Sequence, residues 1–357
     1  MTGIGIIGTG TIARFHADAI GDIGDASLIA VYDTSAERAR SFARERGAAY
    51  YDQLDAFLSD PAISLVAICT PTGAHRDTAL PAAAAGKHLL VEKPLEVSAS
   101  RCREIESACR TAGVLLGSVF QTRFHPAVRL VHRAVSEGWL GRISLVTAEV
   151  KWFRAQQYYD SSGWRGTWKL DGGGALMNQS IHMVDLLRWL FGDPVEVRAI
   201  AGLLTHADLE VEDTLVATLR FPAGYLGTIS VTTGAWPGSF KSLEVCGERG
   251  HLRLEENRLV RWEFVPGSPG AEAKKLVDAL GGSDVEDPLN IGFSAHRAQY
   301  QDMISAIRDG REPEIGGKEA TAAVELVEKI YSDAGIGPSA TVTGQSPARF
   351  ADDKRAR

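Results

Sequence analysis

The sequence predicts an α/β protein with two parts. The first is an N-terminal Rossmann-type doubly wound parallel sheet; the second is a C-terminal α+β domain with a large open, mainly antiparallel sheet. Three observations predict this. Short apolar runs alternate with helical patterns over the first third of the chain. A glycine-rich turn follows the first run, and an acidic residue ends the second. Beyond Val195 the period changes, and six segments alternate at every second residue between turn residues.

At 357 residues the chain exceeds most single cores. The pattern divides it into 1–122, 123–340 and a solvated tail, 341–357, that ends Asp352-Asp353-Lys354-Arg355-Ala356-Arg357. The formal net charge of -7 gives no electrostatic case for a nucleic-acid or anionic-membrane partner. No apolar run reaches the roughly 18 residues of a membrane helix. Met1-Thr2-Gly3 leads straight into a strand without a basic region or twin arginine, so no export signal is expected. Cys69, Cys102, Cys109 and Cys246 have neither metal-site spacing nor disulfide-framework density, so no metal and a reduced, cytoplasmic setting are expected.

Taken in order, Ile4 to Ile7 is a strand, and Gly8-Thr9-Gly10-Thr11-Ile12-Ala13 turns into a helix through Ile20. This is the G-x-G-x-x-A form of the dinucleotide fingerprint. Gly8 permits the tight turn, Gly10 lets a pyrophosphate approach the backbone, and Ala13 allows close helix–strand packing. The second strand, Ser27 to Tyr32, ends at Asp33, placed to accept hydrogen bonds from an adenosine ribose. At about 4 Å and an effective dielectric near 20, a 2'-phosphate beside Asp33 would cost roughly 4 kcal/mol, which favours NAD over NADP. Arg38, in the next helix, could cover the adenine or pair with that phosphate.

Helices follow at Ser35 to Arg46 and Leu54 to Leu58, with a short segment at Tyr50-Tyr51. Leu65 to Cys69 is an apolar strand that runs into Thr70-Pro71-Thr72, and His75 to Ala85 is a helix. Two readings of His75 stay open: a contact with the cofactor, or a helix residue bonded to a loop carbonyl. The next strand, Lys87 to Val91, stops at Glu92-Lys93-Pro94. A lysine at the carboxyl end of a parallel strand points into the crevice where such sheets bind ligands, and it can exchange protons near neutral pH when its environment lowers its pKa. Ser98 to Ala112 is helical and Val114 to Phe120 a further strand.

In the second half, Pro126 to Glu137 is an amphipathic helix and Ile143 to Trp152 a long strand. Arg154 to Lys169 reads as a loop rich in Arg154, Tyr158, Tyr159, Trp164, Arg165 and Trp168, suited to packing on the apolar faces of a sugar. Gly172 to Gly174 leads into a helix from Leu176 to Leu190, with Asn178, His182 and Asp185 on one face. Polar groups on an otherwise apolar helix imply a cleft, and histidine is the natural acid/base there. The six alternating segments, Val195 to Leu203, Asp213 to Phe221, Gly227 to Thr233, Lys241 to Cys246, Gly250 to Glu255 and Leu259 to Phe264, are expected to form an antiparallel meander. Val265 to Pro288 is expected to be mobile, followed by helices at Phe293 to Arg308 and Lys318 to Ser332.

Together, Gly8-x-Gly10-x-x-Ala13, Thr70-Pro71-Thr72-x-x-His75, Glu92-Lys93-Pro94 and Asp171-Gly172-Gly173-Gly174-Ala175 through His182 and Asp185 resemble the glucose-fructose oxidoreductase / inositol dehydrogenase / rhizopine catabolism (Gfo/Idh/MocA) family. The resemblance covers nearly the whole chain. It implies NAD(P)-dependent hydride transfer to or from a carbinol carbon of a sugar, cyclitol or sugar derivative. Lys93 would orient the substrate hydroxyl and the cofactor, with His182 as acid/base. It also implies a homo-oligomer, dimer or tetramer, built through the C-terminal sheet.

The cofactor set is then Gly8, Thr9, Gly10, Thr11, Ile12, Asp33, Arg38, Thr70, Pro71, Thr72, His75, Glu92, Lys93, Gln121, Trp164 and Arg165. Trp164-Arg165 resembles a Trp-Arg pair that touches the cofactor in some relatives. The substrate set is Lys93, Arg123, Arg154, Tyr159, Trp168, Asn178 and His182, and the arginines suit a carboxylate or phosphate on the substrate. Asn178 departs from the many relatives with aspartate there; an amide cannot take a proton, so proton transfer falls to His182, with Lys93. Two other functions share the fold: a non-catalytic dinucleotide sensor, which needs neither Lys93 nor His182, and an NAD-dependent glycosidase that uses transient oxidation.

Overall fold

The computed structural model describes residues 1–281 and 293–340. Among these, the chain forms two units, 1–129 with 280–281 and 293–325, and 130–279 with 326–340.

The first unit is built on strands β1 (Thr2–Ile7), β2 (Ala26–Tyr32), β3 (Ala49–Tyr51), β4 (Leu65–Ile68), β5 (His88–Val91) and β6 (Leu116–Ser118). Their order is β3-β2-β1-β4-β5-β6, and every pairing is parallel. Helices α1 (Thr11–Gly21), α2 (Ala36–Arg46), α3 (Leu54–Leu58), α4 (His75–Ala84) and α5 (Ala99–Ala112) connect them. β4 is buried along its whole length and β5 nearly so, as expected of strands covered on both faces. Local sequence sets the helix ends. Ser35 and Ser98 accept the amides of Arg38 and Arg101 at the starts of α2 and α5, and left-handed Gly47 and Gly113 end these helices. Ile4, Ile6, Leu65, Ala67, Leu90, Ala13, Ile20 and Phe42 form the core between sheet and helices.

The leading segment of the first unit ends at Arg129, a few residues past the boundary expected at 122. Helix α6 (Pro126–Ser136) bridges the division, and a later segment belongs with the parallel sheet. Tyr300, Met303 and Ile304 join the first core, Gln299 donates to the Ser118 carbonyl, and Ser118 donates to the Ile315 carbonyl at 3.2 Å. The apolar stripe of the late helix is thus satisfied by α1 and β6, which its sequence position conceals.

The second unit carries β7 (Ile143–Lys151), helices α7 (Gln156–Asp160) and α8 (Ser180–Phe191), β8 (Glu196–Gly202), β9 (Thr214–Arg220), β10 (Leu226–Thr232), β11 (Ser242–Gly247), β12 (Gly250–Glu255) and β13 (Arg258–Phe264). Its order, β13-β12-β11-β7-β10-β9-β8, is not the simple meander expected. β7 lies between β10 and β11, parallel to the first and antiparallel to the second. The connection after β10 crosses the end of β7, where Ala235 donates to the Trp152 carbonyl at 3.1 Å and Ser239 to the Lys151 carbonyl at 2.8 Å. Both edges of β7 therefore pair, although β10 and β11 are consecutive. The other pairings are antiparallel.

Strand alternation is clean in this sheet: Val146, Ala148, Val150, Leu215, Ala217, Leu219, Ile229 and Val231 are buried, while their neighbours face outward. Val265 to Pro288 contains α9 (Pro269–Glu272) and α10 (Lys274–Gly281) in its described part; residues 282–288 lie outside the described residues, as does the expected tail, 341–357. Helices α11 (Ser294–Asp309) and α12 (Gly317–Asp333) complete the chain.

Candidate active site

In the parallel sheet, the turns after β1, β2, β4, β5 and β6 share one edge, with β1 and β4 flanking the point where the strand order reverses. That is where open α/β sheets bind dinucleotides. Gly8 has φ +89°, and a side chain there would lie 2.8 Å from the Cys69 carbonyl. At Gly10 a side chain would meet nothing within 4 Å, so the space above the turn is open. Helix α1 begins with no side-chain cap and no acid in its first turn, leaving its leading amides to an anion. Thr9, Thr11 and Ile12 stand on this turn.

Asp33 closes β2. It accepts the Thr9 amide at 2.9 Å, the Thr9 hydroxyl at 2.8 Å, the Ser35 amide at 2.9 Å and the Arg38 guanidinium at 2.6 Å. Burial alone would raise its pKa, but Arg38, Ser35 and Thr9 hold it below the usual carboxylate range. An ionised carboxylate fits a ribose diol. Arg38 lies on that carboxylate with its side chain largely exposed.

The buried strand β5 delivers Glu92-Lys93-Pro94, whose Lys93–Pro94 peptide is cis. Lys93 is half-buried, whereas Glu92 turns inward. Its Oε1 meets His16 Nε2 at 2.9 Å and its Oε2 accepts the Lys93 amide at 3.0 Å, while His16 Nδ1 meets the Tyr300 hydroxyl at 2.7 Å. Burial opposes charge on both groups. The hydrogen bond and charge of His16 nevertheless bring Glu92 down to about 2, and the contacts with Cys69, Tyr300 and Glu92 raise His16 well above its ordinary value. The side chain of Glu92, expected in the cofactor set, anchors the lysine turn to α1 and, through His16 and Tyr300, to α11. His75 is likewise enclosed: Nδ1 lies 3.1 Å from the Pro94 and Leu95 carbonyls, and Nε2 lies 2.9 Å from that of Thr70. Burial lowers its pKa. Of its two readings the geometry carries the loop-carbonyl one, with His75 tying Thr70-Pro71-Thr72 to the lysine turn. Gln121 and Arg123 lie in the turn after β6, where Arg123 is buried rather than presented to solvent.

The second unit holds the remaining candidates. The loop read as irregular includes α7, and its arginines pack on its aromatics. Arg154 stacks on Trp152 and Tyr158, and Arg165 stacks on Tyr158 and Trp164. Trp168 lies edge-on to Tyr331. Tyr159 is a correction to the substrate set: it is buried, its hydroxyl donates to Thr233 at 3.0 Å, and its ring meets His206. Such a ring anchors the loop, because a tyrosine buried with its hydroxyl satisfied presents nothing to a ligand.

The helix expected from Leu176 begins differently. Ala175–Gln179 is a π-turn, in which Gln179 N reaches the Gly174 carbonyl at 3.4 Å, and α8 starts at Ser180. Asn178 therefore lies on the π-turn, while His182 and Asp185 lie on α8. Asp185 is fully buried, His182 is half-buried, and the Asn178 amide donates to Asp171 and accepts from Gln179 at 2.5 Å. Gln179 also accepts from Arg154 at 3.0 Å, joining helix and loop in one polar network. A carboxylate still stands beside position 178, supplied by Asp171.

Sequence reasoning missed several buried groups. His16 sits on the helix after the fingerprint, and Glu212-Asp213 is an acid pair at the head of an apolar strand, which is a legible warning of buried charge. Asp213 accepts the Leu204, Thr205 and His206 amides and meets His206 Nδ1 at 3.0 Å, while His206 Nε2 meets the Arg154 carbonyl at 2.8 Å. Among the described residues, His16, Glu92 and His296 stand close enough to share a metal, but both nitrogens of His16 are engaged. The four cysteines are free, and no described helix is long and apolar enough to cross a membrane.

This combination defines a two-part dinucleotide-binding oxidoreductase. Residues 2–120 match the model for the oxidoreductase family with an NAD-binding Rossmann fold, and residues 128–253 match the GFO/IDH/MocA C-terminal domain. The chain is 29% identical over 333 residues to inositol 2-dehydrogenase from Rhizobium meliloti (strain 1021), covering 91% of this chain and 94% of that one. The WlbA dehydrogenase from Bordetella pertussis, solved with NADH and UDP-GlcNAcA, is 33% identical with a TM-score of 0.81, over 93% of this chain and 96% of that chain. Its counterpart from Chromobacterium violaceum, in complex with the same two ligands, is 33% identical with a TM-score of 0.84, over 93% of each chain. The chain belongs to the Gfo/Idh/MocA family, and it is an NAD-dependent oxidoreductase.

Proposed function

We propose that the protein moves hydride between NAD and a carbinol carbon of a sugar derivative, with Lys93 orienting and polarising the reacting oxygen and His182 exchanging its proton. One observation carries this reading: Lys93 leaves β5 at the edge that also bears Gly8, Gly10 and Asp33, half-buried above an ion pair that fixes its backbone. The bound nicotinamide supplies the hydride chemistry. The chain supplies position and charge. The turn at Gly8 to Ile12 holds phosphates, Asp33 holds a ribose, and Lys93 and His182 serve the substrate. With Asn178 tied to Asp171 and Gln179, His182 is the group that takes the proton.

Arg154 and Arg165 favour a substrate bearing a carboxylate or phosphate, and the 33% identical WlbA structures hold UDP-GlcNAcA. A nucleotide-linked sugar acid is therefore the substrate class tested first, with myo-inositol beside it. Nicotinamide absorbance followed with NAD and each compound gives reduction if the reading holds. A folded protein that binds NADH yet reduces NAD with no sugar, cyclitol or sugar acid would contradict it and point to a sensor. The outward face of the seven-stranded sheet exposes Leu145, Ile200, Val216 and Leu226, so the same proposal includes a homo-oligomer formed through that face.

A further inference from the structure

The amides that open the π-turn are capped from a distance. Gly174 N donates to Glu212 Oε2 at 3.0 Å, Ala175 N to the Glu212 backbone carbonyl at 3.0 Å and Leu176 N to Glu212 Oε1 at 2.7 Å. Met177 N donates to the Tyr331 hydroxyl at 3.2 Å, which itself donates to Glu212 Oε1 at 2.9 Å. Four successive amides, the usual number orphaned at a helix start, thus find acceptors on two residues remote in sequence. An ordinary cap would satisfy one or two of them from an adjacent serine or aspartate.

The fit leaves no slack. A side chain at Gly174 would lie 1.8 Å from the Glu212 carbonyl oxygen, and one at Gly173 would lie 2.3 Å from the Tyr331 hydroxyl. Glu212 and Tyr331 are both buried. Asn178 hangs from the same turn, with its amide on the Gly174 carbonyl at 3.0 Å, and His182 lies on the first turn of α8 beyond it.

We infer that Glu212 and Tyr331 are positioning residues for the reaction, a remote clamp that fixes where the π-turn hands Asn178 and His182 to the substrate. This rests on the roles proposed above for those two side chains. Neither Glu212 nor Tyr331 touches substrate in this account, and both act through the backbone of 174–177. Tyr331→Phe keeps the ring and its contact with Trp168 but removes the acceptor for Met177. Glu212→Gln turns an amide donor toward the Gly174 or Leu176 N–H.

The test has two arms. In turnover, each variant is expected to lose about tenfold to a hundredfold in kcat, the scale of a misplacement near 1 Å, with the NADH dissociation constant unchanged. In histidine NMR, the His182 titration midpoint is expected to move while that of His132, stacked on Trp189, stays put. A folded Tyr331→Phe protein with unchanged kcat and unchanged His182 titration overturns the clamp, whether or not Glu212→Gln folds. Slower turnover with an unmoved His182 also overturns it, since the loss then arises elsewhere. If the wild type reduces NAD with no substrate, the proposed function falls, and the His182 titration alone decides the clamp: a moved midpoint sustains it and an unmoved one ends it.

Discussion

Single residues here divide into those that meet ligands and those that hold them in place. Asp33 is of the first kind. A 2'-phosphate would lie beside a carboxylate kept ionised by four donors, and Arg38 is already engaged with that carboxylate. NADH should therefore bind at least about tenfold more tightly than NADPH, and Asp33→Ala should narrow the gap, as read by nicotinamide fluorescence titration. Equal affinities in the wild type would refute this. His16 is of the second kind. Removing one partner of a buried ion pair costs about 3–5 kcal/mol, so His16→Asn should lower stability by that order. Its pH dependence follows from both shifts. Glu92, depressed to about 2, contributes above its ordinary value and loses that contribution as pH falls. His16, raised, contributes below its ordinary value and loses that as pH rises through its folded value. The melting-temperature gap between wild type and His16→Asn should be widest near pH 5 to 6.5 and close on the alkaline side, checked by calorimetry across pH. The fingerprint, Asp33 and Lys93 were legible because each stands where a strand ends. The inward turn of Glu92 and Tyr159 was not legible, because only packing tells which way a side chain turns when both directions suit its chemistry.

At the scale of elements, most of the long strands and helices were read to within a few residues. The parallel strands are runs buried on both faces, and the second sheet alternates cleanly, so composition and period both report them. The short helices α7, α9 and α10 escaped, and so did two larger features. Strand order in the second sheet depends on the connection across the end of β7, and local period carries no information about which edges pair. The π-turn at Ala175–Gln179 also escaped, because its cause, Glu212 and Tyr331, lies far along the chain. The glycine run before it was the visible trace. Gly174→Ala would drive a methyl into the Glu212 carbonyl, so a loss above about 4 kcal/mol or outright misfolding is expected in denaturant unfolding. A Gly174→Ala protein as stable as the parent would show that the turn is not held as described.

For the whole molecule, two parts were legible in the sequence, but not that α11 supplies Tyr300 and Met303 to the first core from the far end of the chain. Light scattering should give a mass of two or four chains, and Ile200→Glu with Val216→Lys, two facing outward positions on β8 and β9, should reduce it to one without changing the circular dichroism. A wild-type monomer would remove the proposed interface. The central claim of the proposed function is that Lys93 and His182 serve the same hydride transfer. Steady-state NAD reduction by Lys93→Met and His182→Ala tests it most directly. With each variant shown to be folded and able to bind NADH, turnover should fall at least about a hundredfold in both. Rates within a few-fold of the parent in both would contradict the account.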